Sequence, residues 1–387
     1  MLLVSLALFI YHASLLAWLL YGARELSRLK GTDNEISEPN LPSLTIVVPA
    51  RNEENTLATG LNSLCQLTYP QLCICVVNDR STDKTGLILK DFERRDPRIR
   101  SISVECLPPD WLGKNYALHL GAQDSESELI LFTDADVEID DEFLKQAVGF
   151  FLRHRLDHLA GIPRVVTSQV LLYPLLGAFG LAFSLFTRPW QGKDPKTDQA
   201  VGIGAFNLVR RSSYQAFGGH APLRLRPDDD LKLALLLKRA GYRTDCITAV
   251  EGLRVEWYSR FEDLKRGLEK NVMTGFEYSF PKAILGNVLF ALTFLLPFLM
   301  PWLTSGLSWL FCMGAVMCLL LAYLGQLYEA RMPLLCTPSF PIAALGILYI
   351  FSRACWLTYR NQGVYWRDTF YPLKTLRTNR IPPPDRV

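Results

Sequence analysis

The chain has 387 residues, of which 49% are hydrophobic and only 20% charged, against roughly a quarter charged in a soluble globular protein. That balance excludes a disordered chain, a collagen-like chain and a purely soluble enzyme. The net charge of +3 is too mild to imply nucleic-acid binding. Leu2 to Tyr21 carry no Asp, Glu, Lys or Arg, and Arg24, Arg28 and Lys30 follow. No basic region precedes this run and no small-x-small site ends it, so residues 1–22 read as an uncleaved transmembrane anchor. The basic cluster after it puts that side in the cytosol and the N-terminus outside. The polar stretch Gly31 to Asn40 reads as a connector.

From about residue 42 to residue 280 the pattern alternates. Leu44 to Val48 is a β-branched apolar run, and Glu54 to Gln66 has helical spacing. Leu72 to Val77 predicts a strand and Lys84 to Arg95 a helix. Ile99 to Val104 and Asn115 to Ala122 repeat the pair. Leu129 to Phe132 and Asp141 to His154 repeat it again. This order predicts an α/β domain with a mostly parallel sheet and helices on both faces. Ligands bind at the carboxyl ends of such strands, so the residues after each strand are the ones to read.

Strand one is followed by Pro49-Ala50-Arg51-Asn52-Glu53-Glu54, strand two by Asn78-Asp79-Arg80-Ser81-Thr82-Asp83, and strand four by Thr133-Asp134-Ala135-Asp136. Ser81, Asp83 and Asp140 could be helix caps. Capping does not account for Asp134 and Asp136. In an extended segment these two point to one side. A carboxylate pair at a sheet's carboxyl edge suits a hard divalent cation, Mg²⁺ or Mn²⁺, that keeps positions open for phosphate oxygens.

These three segments resemble the signatures of family 2 glycosyltransferases with the GT-A fold. The resemblance covers residues 42–280. With the apolar runs, the chain is similar to membrane-bound lipid glycosyltransferases of that family, including ceramide glucosyltransferase-like and hopanoid-associated members. It implies a nucleotide-diphosphate sugar donor, with uracil the usual base, and inversion at the sugar. Asp79 would meet the base, Pro49, Arg51, Asn52 and Glu53 would line the nucleotide site with Ser81, and Asp134 and Asp136 would hold the metal on the diphosphate. Lys114, in Trp111-Leu112-Gly113-Lys114-Asn115, would lie near the donor. Its other reading is a solvated helix start. In Pro227-Asp228-Asp229-Asp230 the family's acidic pair falls on Asp229 and Asp230, twelve and eleven residues before Gly241. Asp230 would be the catalytic base, and helix capping is compatible with that role. Gly218, Gly219 and His220 would lie near the acceptor. Arg266 stands where the family has a Gln-x-x-Arg-Trp arginine, but no Trp follows it, so Lys270 could serve instead.

Val165 to Thr187 is an uncharged run inside the domain. It reads as an interfacial or buried segment (165–187) beside a lipid acceptor, or as a core helix of the domain. Ala283 to Tyr328 spans 46 residues without a formal charge, about 69 Å as helix and enough for two crossings. Pro297, Pro301, Ser305 and Gly306 mark the expected turn. Ile342 to Trp356 is the best further span. Residues 283–358 thus form a membrane region of two to three spans, and 359–387 a basic tail with an interfacial Tyr365-Trp366-Arg367-Asp368 segment. The expected partners are a nucleotide-sugar donor, a lipid acceptor and the bilayer, with no nucleic acid. The expected place is the cytoplasmic membrane, with the catalytic domain in the cytosol. A processive synthase, a nucleotidyltransferase and an inactive membrane scaffold are the competing readings.

Overall fold

A computed structural model describes residues 1–29, 41–366, 369–379 and 381. The connector expected over Gly31 to Asn40, the pair Arg367 and Asp368, and residues 382–387 of the basic tail lie outside the described residues. The chain divides into two compact units.

The α/β unit comprises Leu26–Val166 and Pro189–Glu256, joined by Ile381. Its strands are β1 (Ser27–Arg28), β2 (Leu44–Ala50), β3 (Leu72–Asp79), β4 (Ile99–Val104), β5 (Leu129–Phe132), β6 (Val137–Ile139), β7 (His158–Ile162), β8 (Arg164–Val166), β9 (Asn207–Arg210), β10 (Thr244–Thr248) and β11 (Leu253–Glu256). Eight of them form one sheet in the order β1-β10-β7-β9-β5-β2-β3-β4, and β6-β11-β8 form a second. The central strands β2 and β5 are buried almost without a break, as strands covered on both faces must be. Ile46 of β2 stands opposite Ile74 of β3 and Leu131 of β5, so the register aligns the strand ends that carry Pro49, Asp79 and Asp134.

In the large sheet one strand departs from the parallel order. β9 runs antiparallel to both β5 and β7. The chain reaches it through the long segment after β8, at the edge where β5 ends, so it can only run back. The helices also start later or earlier than periodicity predicts. The first begins at Leu57, not Glu54, because Glu53 and Glu54 are held in a loop. The helix carrying the acidic pair begins at Asp229 and so includes both carboxylates in its first turn. Asp140 caps the helix Asp141–Arg153, its side chain accepting from the Glu142 and Phe143 amides.

The helical unit comprises Met1–Glu25, Thr167–Arg188 and Trp257–Arg380. Among the described residues, four helices are long and apolar enough to cross a membrane: Leu2–Glu25, Val170–Gln191, Gly306–Glu329 and Leu334–Asn361. The pair Phe280–Phe294 and Leu296–Leu303 is bent by 44°. Pro297 causes the bend, since it has no N–H for the Thr293 carbonyl. His12 Nε2–H, from the Leu2–Glu25 helix, donates to that carbonyl instead (2.9 Å). The first half of the 46-residue run is therefore a broken helix, not a straight span.

Two sequence expectations change here. The α/β unit ends at Glu256, not near residue 280, because the amphipathic helix Phe261–Gly275 packs with the apolar helices. The run 165–187 is not a core helix of the α/β domain either. Its first residues complete β8, and its helix Tyr173–Thr187 belongs to the helical unit. Tyr323 Oη–H donates to the Pro174 carbonyl (2.9 Å), and Gly177 lets Tyr323 and Leu327 approach closely. Strands from both sides of this helix pair in one sheet, as β9 with β5 and β10 with β7. The helix therefore makes no net membrane crossing.

Candidate active site

The site is built at the carboxyl edge of the large sheet. The loops after β2 and β3 are stitched together. The Asn52 amide donates to Ser81 Oγ (3.0 Å) and the Thr82 amide to Asn52 Oδ1 (2.8 Å). The Glu53 amide donates to Thr85 Oγ1 (2.8 Å) and the Glu54 amide to Asp83 Oδ2 (3.1 Å). Asn52 and Ser81 thus join the two loops, and Asp83 both ties them and accepts from the amide of Thr85 (2.9 Å), the first residue of the next helix. Asn52 has φ 53, a left-handed conformation that asparagine tolerates.

Asp79, at the end of β3, is buried. Arg80 Nε donates to its Oδ1 (2.7 Å), and Arg51 Nη1 lies 3.6 Å from its Oδ2. The backbone of Gly113 passes so close that a Cβ there would lie 2.1 Å from Asp79 Oδ2. Pro49 closes β2 beside this group. Arg51 Nε is buried without a hydrogen-bond partner among the described residues.

Asp134 and Asp136 follow β5. The segment is a turn and not the extended stretch expected: Ala135 and Asp136 are turn residues and the Val137 amide donates to Asp134 O (3.4 Å). The chain must leave the large sheet here for β6 in the small one. Asp134 Oδ1 pairs with Lys114 Nζ at 2.6 Å. Burial pushes the Asp136 carboxyl up, and Asp134 and Glu53 push it further, to about 7. Glu53 thus joins the acidic pair. Among the described residues no three His, Cys, Asp or Glu side chains close a metal cage. Hard carboxylates that repel one another fit Mg²⁺ or Mn²⁺ when substrate oxygens complete the shell.

The second wall comes from the Asp229–Arg239 helix. Asp228 accepts from Arg226 Nε and Nη2, both at 2.8 Å, and both residues are buried. This pair anchors the loop and leaves Asp228 no catalytic freedom. Burial drives the Asp229 carboxyl up, but Lys114 and His220 outweigh it and hold it below the usual carboxylate range. Burial, and then the Asp229 charge, drive Asp230 above that range. Burial opposes the Lys114 charge, yet Asp134, Asp229 and Asp230 hold this lysine protonated well above its ordinary range. Lys114, Asp134, Asp229 and Asp230 line a small cleft with Gly204 and His220.

Gly218 and Gly219 have φ 97 and 61, turning the chain so that His220 enters the cleft wall. The His220 amide donates to Tyr214 Oη (3.1 Å), and Tyr214 Oη–H faces His220 Nδ1 (2.6 Å). Tyr214 thereby leaves the ring proton on Nε2, which lies 3.8 Å from Asp229 Oδ2. Arg266 and Lys270 lie on the Phe261–Gly275 helix of the helical unit, where the Lys270 ammonium sits over the Trp366 ring at 4.5 Å.

Sequence reasoning missed Gly202, Gly204, Tyr214 and Asn115. A Cβ on Gly202 would lie 1.9 Å from Asp230 O. Asn115 Nδ2 donates to the Arg226 carbonyl (2.8 Å) and ties the loop before the acidic pair to the Lys114 helix. The Gly202-Ile203-Gly204 spacing was the available signal. Nothing in the sequence marked Tyr214.

Residues 45–218 match the family model described as Glycosyl transferase family 2. The chain is 27% identical to a 4,4'-diaponeurosporenoate glycosyltransferase of Staphylococcus haemolyticus over 181 residues, 46% of this chain and 47% of that protein. It is 27% identical to the protein of the same name from Staphylococcus aureus over 262 residues, 65% of this chain and 66% of that one. The chain thus spans about half to two thirds of these relatives' length. Among solved structures it is similar to the mannosyltransferase PcManGT from Pyrobaculum calidifontis in complex with GDP-Man and Mn²⁺. That match has a TM-score of 0.53 and 17% identity and covers 92% of this chain and 98% of the other. It establishes a shared GT-A fold.

Proposed function

Because residues 45–218 belong to glycosyl transferase family 2, we propose that the chain moves a sugar from a nucleotide-diphosphate donor to a membrane lipid by single displacement with inversion. A UDP-sugar is the first donor to try. The observation that carries this reading is one cleft lined by Asp134, Lys114 and a carboxyl group of raised proton affinity, Asp230.

Asp230 is the base. It takes the proton of the acceptor hydroxyl as that oxygen bonds to the anomeric carbon and the bond from carbon to diphosphate breaks. Asp229 stays ionised beside it, held by Lys114 and His220. Lys114 meets the charge that builds on the leaving diphosphate. Asp134 and Asp136 would hold Mg²⁺ or Mn²⁺, which supplies Lewis-acid stabilisation of that leaving group. The resemblance assigns Asp79 to the base and Arg51 to the nucleotide site, and the 3.6 Å approach of Arg51 to Asp79 supports a shared role.

The lipid acceptor is supported by the apolar helices and by relatives named for acting on diaponeurosporenoate. Arg24 and Arg28 after the first apolar helix support a cytosolic α/β unit in a protein of the cytoplasmic membrane. The apolar helix Tyr173–Thr187 further supports a lipid as the acceptor class. The test is Asp230→Asn in the full-length protein. It is expected to keep nucleotide-sugar binding and lose transfer to extracted membrane lipids by at least about 100-fold. Transfer at the normal rate, or loss of donor binding as well, overturns the assignment of the base.

A further inference from the structure

We propose that Lys114 is the resident cation of the donor site and changes places with the divalent metal when the diphosphate arrives. The inference rests on the nucleotide-sugar reading of the cleft. Lys114 Nζ sits 2.6 Å from Asp134 Oδ1, so it occupies a carboxylate that the metal also needs. It is centred in the cleft. A Cβ built on Gly204 would lie 3.4 Å from Lys114 Nζ, 3.4 Å from Asp230 Oδ2 and 2.7 Å from Asp134 Oδ2. Asp229 faces the same ammonium. The backbone of Gly204 therefore closes the space in which lysine and carboxylates meet.

An ammonium and a divalent metal on one carboxylate repel strongly in a half-buried site. With Lys114 in place, metal alone is disfavoured. A diphosphate changes the balance, because it supplies oxygens for both cations. Lys114 then leaves Asp134 for the phosphate oxygens, and the vacated oxygen becomes available. Lysine suits this exchange, since its charge rides on a flexible four-carbon stem. It also starts the Gly113–Gln123 helix, whose N-terminal amides attract anions. Metal and diphosphate thus enter together, and Lys114 keeps the acidic cluster neutralised between turnovers.

The exchange predicts a reversal of sign. Full-length wild type, Lys114→Met and Lys114→Arg are compared in detergent. Binding of Mn²⁺ alone is read by the loss of its free-ion paramagnetic signal, and binding of UDP or GDP at saturating Mn²⁺ by calorimetry. For Mn²⁺ alone, Lys114→Met is expected to bind about tenfold tighter than wild type, and Lys114→Arg like wild type. For the nucleotide with Mn²⁺, Lys114→Met is expected to bind about tenfold weaker. Effects of one sign in both titrations, or no change for Mn²⁺ alone, overturn the exchange. Wild-type protein that binds Mn²⁺ as tightly without nucleotide as with it overturns it too, even if Lys114→Met fails to fold. If wild type takes up neither nucleotide with Mn²⁺, the donor reading itself fails and the exchange falls with it.

Discussion

Asp229 and Asp230 are adjacent and chemically identical, yet their surroundings drive them apart. Burial raises both, but Asp229 has Lys114 and His220 to hold its charge, while Asp230 has Asp229 as a like-charged neighbour. An acid and base pair is often made this way. The sign of the pH effect follows. Asp230 has a raised pKa, so it is protonated and inactive as a base below that value, and turnover falls as pH drops through it. Asp229→Asn removes the like charge, so the acid limb of the rate profile should move to lower pH. A limb that stays, or moves up, removes Asp229 as the cause. The sequence made this pair legible through a resemblance and a count back from Gly241. It marked Asp230 as the base through that resemblance but not the cause of the split, because Lys114, His220 and Tyr214 meet the pair only in the fold.

At the level of elements, the two glycines of the 202–204 loop are expected to fail differently. A methyl group on Gly202 meets the Asp230 carbonyl at 1.9 Å, and a backbone atom cannot step aside. Gly202→Ala should cost about 1–3 kcal/mol, read as a lower melting temperature. On Gly204 the nearest atom is Asp134 Oδ2 at 2.7 Å, the end of a side chain. Gly204→Ala should leave melting nearly unchanged and reduce transfer about tenfold or more by moving the carboxylate proposed to hold the metal. Equal stability losses in the two variants would contradict this contrast. The bent helix offers a second case. With His12 replaced by Phe, the Thr293 carbonyl loses its donor, at about 1–3 kcal/mol. Adding Pro297→Ala restores an N–H within the helix and should recover most of that loss in a reversible unfolding titration. Strands β2 to β5 were legible because parallel strands read as short apolar runs between turn residues. β9 was not, since Asn207 to Arg210 has no such pattern, and its direction is set by a connection of about 40 residues.

At the scale of the whole molecule, the excess of apolar residues belongs to one unit and the chemistry of the cleft to the other. The sequence located both, but it drew the α/β domain to residue 280 and left 165–187 as an interfacial or buried segment, because chain order does not reveal which unit an apolar helix packs in. The shared sheet makes a further prediction. Cys106 is exposed, and a second cysteine placed at Lys196 lies across the Tyr173–Thr187 helix in sequence. Both should react with an impermeant thiol reagent from the same face of sealed vesicles, the cytosolic one. Labelling from opposite faces would contradict the pairing of β9 with β5. The backward run of β9 carries a consequence for how such an enzyme can change. The strand begins at the edge where β5 ends, so residues 189–206 are inserted between fixed points on one rim. Change in that segment is coupled to the site, because the Asp134 amide donates to the Gly204 carbonyl (3.1 Å) and Thr133 Oγ1 to the Ala205 carbonyl (2.7 Å). Drift is thus confined to the stretch before Gly202, while the last residues of the connection and the carboxylate they hold must vary together.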